Sequence, residues 1–243
     1  MTYDILDLKL VTNDTNLYGG KAVTLSKLIN NGLNIPHGFV LSSNIYRKYL
    51  EDHLDYGVLL KEICNWMDQI GITQDCIVRS SANVENVFGK DCPGIFESFL
   101  CNNKKDIINK IIQVWNSTTS QLAKKFFNNC DCSDNILMAV IVQCVQRGRY
   151  SAVIQSYDLV EDRNRIIVEY CEGTLNSIVD DEQNASIYYI ERNINSDVTH
   201  SSLPIEKIKR DCITIETIIG GKAEIEAQIT DNDIWYIQAR KIS

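Results

Sequence analysis

Residues 221–243 constrain the fold more than any other stretch, because they have the pattern of a β-hairpin. Ala223–Ile229 alternates apolar and polar residues, residues 231–233 read Asp-Asn-Asp, and Ile234–Ile237 is a β-branched and aromatic run. Alternation with a period of two is typical of a half-buried strand, and an Asp/Asn cluster between two such runs is typical of a turn. The sequence therefore predicts two antiparallel strands here.

Polar side chains are concentrated on one face of this predicted hairpin. The alternation places Glu224, Glu226 and Gln228 on the same face of the first strand, and Gln238 and Arg240 lie at the end of the second. If the strands pair across the turn, a pair of carboxylates, an amide oxygen and a guanidinium converge. Oxygen ligands of this kind suit Mg²⁺, and an adjacent arginine suits a phosphate. A solvated amphipathic hairpin is the alternative interpretation.

Composition argues against several functional classes. The chain has 243 residues and a net charge of −8, which argues against a surface for nucleic acids or anionic membranes. No apolar run approaches the ~20 residues of a spanning helix, and the start MTYDILDLKL is too acidic for a signal peptide. The nine cysteines have irregular spacing, with no CxxC pair and no zinc-ligand pattern, which favours a reducing compartment. We therefore expect a cytoplasmic protein.

Two glycines and a lysine open a predicted helix near the N-terminus. Gly19, Gly20 and Lys21 precede residues 22–32, whose apolar positions recur at helical spacing and which end in Asn-Asn-Gly. The first N–H groups of a helix have no partner within the helix, so they attract anions, and the ammonium of Lys21 adds positive charge. The segment is a candidate phosphate site, although the P-loop pattern is absent. A plain turn before a helix is the alternative.

The rest of the chain is predicted to mix helices and strands. Arg79 is expected where a strand over residues 76–82 ends, and Gln143 is the one strongly polar residue in an apolar strand over 137–145. A buried amide at that position needs hydrogen-bond partners. Residues 193–210 are expected to form a polar loop leading into 214–218. The other predicted elements are helices over 57–70 and 104–128 and strands over 151–156, 165–169 and 185–190.

Four motifs occur in a characteristic order along the chain. They read YGGKAVTLSKLINNGLNIPHGF, IVRSSANVENVFGKDCPGIFESF, MAVIVQCV and AEIEAQITDNDIWYIQARKI. They resemble the GGK–helix–VPxGF opening, the VRSSA–ED–GxxET segment, the VVVQ-MV strand and the closing DIEW…LYILQARPI of one family. That family is the phosphoenolpyruvate synthase and pyruvate phosphate dikinase family, and the match is to its N-terminal ATP-binding domain. Order and spacing agree over nearly the whole chain.

The resemblance implies a fold. In this family the domain is an ATP-grasp fold of the α+β class, in which two subdomains enclose a nucleotide cleft and hold Mg-ATP between them. We expect residues 1–243 to form one such nucleotide-binding domain, with approximate subdomains 1–135 and 136–243.

The resemblance also implies roles for individual residues. Lys21 and Arg79 match basic residues that bind the ATP phosphates, and Arg240 matches an arginine that supports the transferring phosphates, so these three are the expected catalytic residues. Glu226 and Gln238 match the Mg²⁺ ligands. The other residues expected to contact the nucleotide are Gly94, Ser98, Gln143, Cys144 and Val145. The backbone can approach a ligand at Gly94, and Ser98 stands where threonine is usual. Gln143 lies on the strand leading to the adenine hinge, which would be Cys144 and Val145.

The chain departs from the family pattern at several positions. Ile95 replaces the usual glutamine, Glu224 replaces an aspartate, and Ala227 replaces a tryptophan. Cys92-Pro93 stands where a Ser-Phe-Ala loop is usual, and Asn176 stands at the glutamate of a GLGE segment. These changes leave the main phosphate and metal positions intact.

The resemblance finally implies phosphoryl transfer through a partner. In the dikinases a histidine on a swivelling domain takes a phosphoryl group from ATP, but none of His37, His53 and His200 lies in such a motif. We expect a Mg-ATP-binding phosphotransferase domain that passes a phosphoryl group to a histidine on a separate domain, in cis or in trans. The final acceptor would be a small molecule, as in glutamine kinase or rifampicin phosphotransferase relatives. A nucleotide-binding or scaffolding module without turnover, and a direct small-molecule kinase, are the alternatives.

Overall fold

The computed structural model describes residues 2–73, 75–84, 95–127, 136–173, 185–192 and 203–242. Over these ranges the chain forms ten strands and six α-helices, and the strands make two five-stranded antiparallel sheets. The predicted α+β class is confirmed. Several residues with sequence-based predictions lie outside the described ranges, and those predictions stay predictions: Cys92-Pro93, Gly94, Asn176 and His200.

The first compact unit comprises Met1–Ser26 and His37–Val145. Its sheet has the strand order β1-β2-β5-β3-β4. The strands are β1 (Ile5–Asp7), β2 (Gly38–Leu41), β3 (Cys76–Ala82), β4 (Ser98–Cys101) and β5 (Met138–Cys144). The helices are α1 (Thr15–Asn30, which continues past Ser26), α2 (Ser43–Leu50), α3 (Tyr56–Gln69), α4 (Ile107–Asn116) and α5 (Gln121–Phe127), with short 3₁₀ turns at Leu8–Leu10, Lys104–Asp106 and Ser117–Thr119.

One face of this sheet carries the hydrophobic core of the unit. Val78 of β3 and Val142 of β5 lie on this face with their neighbours at every second position, and they are fully buried. Helices α3 and α4 cover the face with apolar stripes at helical spacing, such as Leu59, Ile63 and Met67. The opposite face of β3 and β5 is thereby left to present polar side chains.

Two expectations for this unit need correction. Arg79 does not end its strand, because β3 continues to Ala82 and leaves Arg79 in the middle. The predicted helix over 104–128 is broken into α4 and α5 by a 3₁₀ turn. In that turn the hydroxyl of Ser117 donates to the Val114 carbonyl at 2.6 Å. Such local bonds from a serine compete with continuation of a helix.

The second compact unit comprises Lys27–Pro36 and Gln146–Ser243. Its sheet has the strand order β10-β9-β6-β7-β8. The elements are β6 (Tyr150–Gln155), β7 (Arg165–Glu172), β8 (Ser186–Glu191), α6 (Ile205–Ile219), β9 (Ala223–Ile229) and β10 (Ile234–Lys241). The hairpin predicted from the sequence is therefore confirmed as β9 and β10.

Helix α6 is the element that the sequence-based prediction missed. Residues 205–210 were expected to lie in a loop, yet Ile205, Ile208, Cys212 and Ile215 form a buried stripe at spacings of three and four. The helix ends at Gly220, whose φ of 73° is left-handed and whose N–H donates to the Glu216 carbonyl. The β-branched residues that suggest a strand here are accommodated because the stripe packs against the sheet.

Helix α6 is attached to the hairpin by a buried hydrogen bond. The hydroxyl of Tyr236 on β10 donates to Oδ2 of Asp211 on α6 at 2.7 Å. Burial, and then the bond to Asp211, raise the pKa of the Tyr236 phenol above its usual range, so the hydroxyl stays protonated and continues to donate. None of the helices in the described part of the chain has the length and apolarity needed to cross a membrane.

Candidate functional site

A β-bulge sets the register of the C-terminal hairpin. From the turn, Trp235 pairs with Gln228 and Tyr236 pairs with Ala227, but the next pair is Gln238 with Glu226, so Ile237 is the extra residue. A bulge of this kind changes which face the following side chains occupy. Without it, the regular alternation would put Gln238 and Arg240 on the same face as the buried Tyr236.

After the bulge, Arg240 pairs directly with Glu224. Nε of Arg240 donates to Oε1 of Glu224 at 2.8 Å, and the NH2 nitrogen lies 2.6 Å from the same oxygen. Both side chains are about a quarter exposed. The carboxylate therefore holds the guanidinium on the polar face of β9 and β10, next to the Glu226–Gln238 pair.

The Glu226–Gln238 pair provides the oxygen donors expected for a metal. Both side chains are partly exposed on the same face of adjacent strands. Within the described ranges no cluster of three or more histidine, cysteine, aspartate or glutamate side chains is arranged to hold a metal ion. One carboxylate and one amide match the chemistry of Mg²⁺, which takes oxygen ligands and keeps other positions for water and phosphates.

The Gly19–Lys21 segment is fixed against strand β3 by a serine. Gly19 has a φ of 74° that interrupts α1, so the regular helix starts at Gly20. The hydroxyl of Ser81 donates to the Tyr18 carbonyl at 2.8 Å and accepts from the Ala22 N–H at 3.0 Å. A Cβ at Gly19 would lie 1.9 Å from the Ser81 carbonyl oxygen, so this approach requires glycine.

Ser81 thus acts as a helix cap provided by a distant strand. It satisfies one of the N–H groups in the first turn, as an N-cap residue does. Nζ of Lys21, which is partly exposed, lies 3.5 Å from Oγ of the neighbouring Ser80. Sequence reasoning singled out the glycines and Lys21 but did not assign a role to Ser81, although the serine lies inside the VRSSA motif.

Arg79, Ser98 and Gln143 lie on the same region of the first sheet. Arg79 on β3 is the Cα partner of Ser98 on β4 and of Ile141 on β5. Its NH1 group donates to Oε1 of Gln143 at 3.4 Å. Arg79 and Gln143 are 5% and 1% exposed, whereas Ser98 is exposed. The partner that a buried amide at Gln143 requires is therefore provided by Arg79.

The hinge candidates Cys144 and Val145 follow directly at the end of β5. The N–H of Cys144 donates to the His37 carbonyl at 2.8 Å, so it is used within the unit. Burial raises the pKa of the Cys144 thiol, which keeps it neutral. Val145 is partly exposed beyond the end of the strand. A backbone contact to a base is thus more readily made by Val145 than by the N–H of Cys144.

The structure gathers the predicted residues into two groups, one in each unit. The group in the first unit consists of Lys21, Arg79, Ser98, Gln143, Cys144 and Val145. The group in the second unit consists of Glu226, Gln238 and Arg240, with Glu224 holding the arginine. The role of each of these residues in binding or catalysis is a proposal.

Comparison with known proteins shows the family of the chain. The family model described as the pyruvate phosphate dikinase AMP/ATP-binding domain matches residues 57–203. The prodigiosin synthesizing transferase PigC of Serratia marcescens is 22% identical over 96% of this chain and 32% of its own length. The uncharacterized phosphotransferase YvkC of Bacillus subtilis is 23% identical over 99% of this chain and 35% of its own length.

Two further likenesses are to a phosphoenolpyruvate synthase and to a solved ligase structure. The phosphoenolpyruvate synthase of Aeropyrum pernix is 23% identical over 65% of this chain and 24% of its own length. Among solved structures, the D-alanine–D-alanine ligase of Bacillus anthracis superposes with a TM-score of 0.45 at 11% identity, covering 90% of this chain and 54% of the ligase. This chain spans about a third of the first two curated relatives.

The family match covers more than half of the chain, and it includes β3, β5 and the sheet strands β6 to β8. It confirms the family that the four motifs indicated, together with the ATP-grasp fold and the nucleotide binding implied by that family. The chain therefore belongs to the family of the pyruvate phosphate dikinase AMP/ATP-binding domain.

Proposed function

We propose that this chain binds Mg-ATP and is the phosphoryl-donor domain of a phosphotransferase. It passes a phosphoryl group from ATP to a histidine on a separate domain, in cis or in trans, from which a small-molecule acceptor receives it. The observation that carries the proposal is the hairpin register, in which a bulge brings Gln238 opposite Glu226 and Arg240 opposite Glu224. The bulge moves two polar groups, Gln238 and Arg240, onto the face that carries Glu224 and Glu226, and bulges are over-represented next to active sites.

The metal part of the proposal rests on the donor set. Glu226 and Gln238 supply a carboxylate and an amide oxygen, which suits Mg²⁺ and leaves positions for the phosphate oxygens of ATP. The chemistry that a bound Mg²⁺ supplies is neutralisation of the charge on those oxygens. Glu226 and Gln238 would hold the ion.

The phosphate part of the proposal rests on three basic side chains. Lys21 follows the glycine pair at the start of the regular part of α1, where the helix N-terminus favours anions. Arg79 keeps one guanidinium contact to Gln143, which orients it on the polar face of β3. Arg240 would release Glu224 to contact the transferring phosphates. Positioned charges of this kind carry most of the catalysis in phosphoryl transfer.

The acceptor part of the proposal rests on the relatives. Two of the curated relatives are named a transferase and a phosphotransferase, and a third is a phosphoenolpyruvate synthase. Because this chain spans about a third of the first two, we place the phosphohistidine and the acceptor site in a separate domain. His37 and His53 lie in the first unit, and neither belongs to a motif for phosphoryl acceptance.

Isotope transfer tests the phosphotransferase proposal. The chain is incubated with ATP labelled at the β or the γ phosphate, with and without the remaining domains of the enzyme. We expect a label that becomes acid-labile and protein-bound only when a histidine-bearing domain is present, as expected for phosphohistidine. Transfer of label directly to a small molecule by the chain alone, with ADP as the product, would instead support the direct-kinase alternative.

A nucleotide-binding module without turnover is the second candidate. It is favoured by the close contacts between Arg240 and Glu224, at 2.6 and 2.8 Å, because a paired guanidinium is less available to phosphates. Tight binding of ATP with no consumption, in the presence of the complete set of domains, would select this function.

A further inference from the structure

A chain of three hydrogen bonds connects three segments of the second unit. The N–H of Gly148 donates to Oε1 of Gln228 at 2.9 Å, Nε2 of Gln228 donates to Oγ of Ser151 at 2.7 Å, and the Ser151 hydroxyl donates to the Gly173 carbonyl at 2.6 Å. Gln228 is 4% exposed and Ser151 is fully buried. We call these four residues the amide relay.

The donor and the acceptor of each hydrogen bond in the amide relay are fixed. A backbone N–H can only donate, so Gly148 fixes Oε1 of Gln228 as the acceptor and leaves Nε2 to donate. The Ser151 hydroxyl accepts that bond and therefore turns its own hydrogen towards the Gly173 carbonyl. Because each of these side-chain groups is used, the buried network specifies a single arrangement of the two backbone segments.

The segments joined by the relay flank the proposed nucleotide-binding residues in the sequence. Gly148 follows the hinge candidate Val145 by three residues, and it packs so closely on β9 that a Cβ there would lie 2.6 Å from the Ile229 carbonyl oxygen. Gly173 directly follows β7 with a φ of 102° and belongs, in the sequence, to the stretch that resembles the family's GLGE motif. Gln228 lies two residues after Glu226 on the same strand.

We propose that Gln228 is a positioning residue for nucleotide binding. Its amide holds the Gly148 backbone directly and the Gly173 backbone through Ser151, and the backbone of these two glycines is in this way set in place for the nucleotide. Gln228 does not itself touch the ligand. This inference rests on the proposed Mg-ATP function, and it assigns to Gln228 a role separate from metal binding by Glu226 and Gln238.

A glutamine that merely fills a buried volume would behave differently. Leucine occupies a similar volume, so Gln228→Leu would leave the packing almost unchanged if volume alone mattered. The relay instead predicts that the variant leaves the Gly148 N–H without its acceptor and the Ser151 hydroxyl without the donor that orients it, while that hydroxyl still donates to the Gly173 carbonyl. Ser151→Ala removes the link to Gly173 while keeping the acceptor for Gly148, so the two variants separate the two ends of the relay.

Two readouts on the intact chain test the proposal. The first is the solvent-exchange rate of the Gly148 amide, measured by NMR on protein labelled with ¹⁵N-glycine, since the chain has only 12 glycines. The second is the Kd of a non-hydrolysable ATP analogue, with and without Mg²⁺. The control is Gln113→Leu, which makes the same chemical change at an exposed position on α4.

We expect Gly148 to exchange at least tenfold faster in Gln228→Leu and at nearly the wild-type rate in Ser151→Ala and Gln113→Leu. We expect Kd to rise about tenfold in Gln228→Leu and several-fold in Ser151→Ala, with the same factor in the absence of Mg²⁺. Equality of the factors with and without Mg²⁺ distinguishes backbone positioning from damage to the metal ligands.

Three results would overturn the inference. If Gly148 exchange is unchanged in Gln228→Leu, the relay does not hold that segment. If exchange accelerates while Kd stays at the wild-type value, the relay is structural and positions nothing for the nucleotide. If the wild-type chain itself binds no nucleotide while Gly148 is protected, the proposed function fails and the positioning role fails with it, whereas the relay as a structural element stands.

Discussion

Glu226 and Gln238 face each other across the C-terminal hairpin because a single extra residue, Ile237, shifts the register between them. The shift places the amide of Gln238 on the same face as the Glu226 carboxylate, and two pairs further along it brings Arg240 to Glu224. The proposed metal and phosphate groups of the second unit therefore depend on one bulge. This relationship leads to the first prediction.

Replacing Gln238 by methionine removes the amide oxygen and keeps the length of the side chain. We expect the Mg²⁺ concentration that half-saturates ATP-analogue binding to rise about tenfold, because one of two protein ligands is lost. A calorimetric Mg²⁺ titration at fixed nucleotide measures it, with Gln113→Met as the control. An unchanged Mg²⁺ requirement would remove Gln238 from the metal site.

Replacing Arg240 by lysine keeps the positive charge but loses the planar fork. If Arg240 contacts the transferring phosphates, we expect turnover of the complete enzyme to fall about a hundredfold while the Kd of ATP changes by less than about threefold. Arg163→Lys, in the exposed turn between β6 and β7, is the matched control. A variant whose Kd for ATP rises while its turnover at saturating ATP stays unchanged would assign Arg240 to ground-state binding instead.

Replacing Ser81 by alanine removes two hydrogen bonds that fix the Gly19–Lys21 segment, those to the Tyr18 carbonyl and from the Ala22 N–H. We expect the free energy of unfolding to fall by about 1–3 kcal/mol, because a buried donor and acceptor lose their partner. We also expect weaker ATP binding, because Lys21 is no longer held. Urea denaturation and calorimetry measure the two effects, with Thr119→Ala as an exposed hydroxyl control. Weakened stability with unchanged affinity would show that the segment does not bind phosphate.

Replacing Gln143 by leucine removes the acceptor that contacts the buried guanidinium of Arg79 at 3.4 Å. We expect a loss of about 2 kcal/mol in the free energy of unfolding, typical of a hydrogen bond to a charged group. We also expect ATP affinity to fall, because the guanidinium is no longer oriented. If stability falls but nucleotide affinity is retained, Gln143 has a structural role alone.

Acid stability is expected to depend on Asp158, which ends the β6 side of an exposed turn. Its Oδ1 accepts the N–H groups of Val160 and Glu161, and its Oδ2 accepts Nε of Arg165 at 2.8 Å. The bond from the Glu161 N–H, with those from Arg165 and Val160, lowers the pKa of this carboxyl against the opposing effect of burial. A carboxyl whose pKa is lower in the folded state stabilises the fold above its unfolded pKa of about 3.9 and loses that contribution as the pH falls through the folded value.

The test of this dependence compares the wild type with Asp158→Asn. We expect the wild type to lose stability to urea as the pH falls through the unfolded pKa of about 3.9 and then through the lower folded pKa. We expect the variant to lose less stability over the same range. Parallel pH profiles of the two proteins would show that Asp158 does not contribute to acid sensitivity.

The sequence predicted the elements whose periodicity is local. The hairpin, the buried strand β5 and the helix that follows the glycine pair were predicted because alternation, apolar runs and capping residues are visible over a few positions. Helix α6 was missed because its β-branched residues resemble a strand, and only packing against the sheet favours the helix.

The site was predicted from motifs rather than from periodicity. Regular alternation along β10 would have turned Gln238 and Arg240 towards the core, and the bulge at Ile237 has no local sequence signal that a single chain reveals. The same limit applies to Ser81, whose partners lie on α1, and to Gln228, whose partner Ser151 lies on β6. Contacts between residues that are distant in the sequence are the part that sequence patterns cannot supply.

The measurement that tests the central claim most directly is a calorimetric titration of the chain with a non-hydrolysable ATP analogue and Mg²⁺, run beside Lys21→Ala and Glu226→Gln. The account predicts binding by the wild type, a tenfold or greater loss in Lys21→Ala with or without Mg²⁺, and a loss in Glu226→Gln that appears only when Mg²⁺ is present. Binding by the wild type that neither substitution weakens, or no binding at millimolar nucleotide, would contradict it.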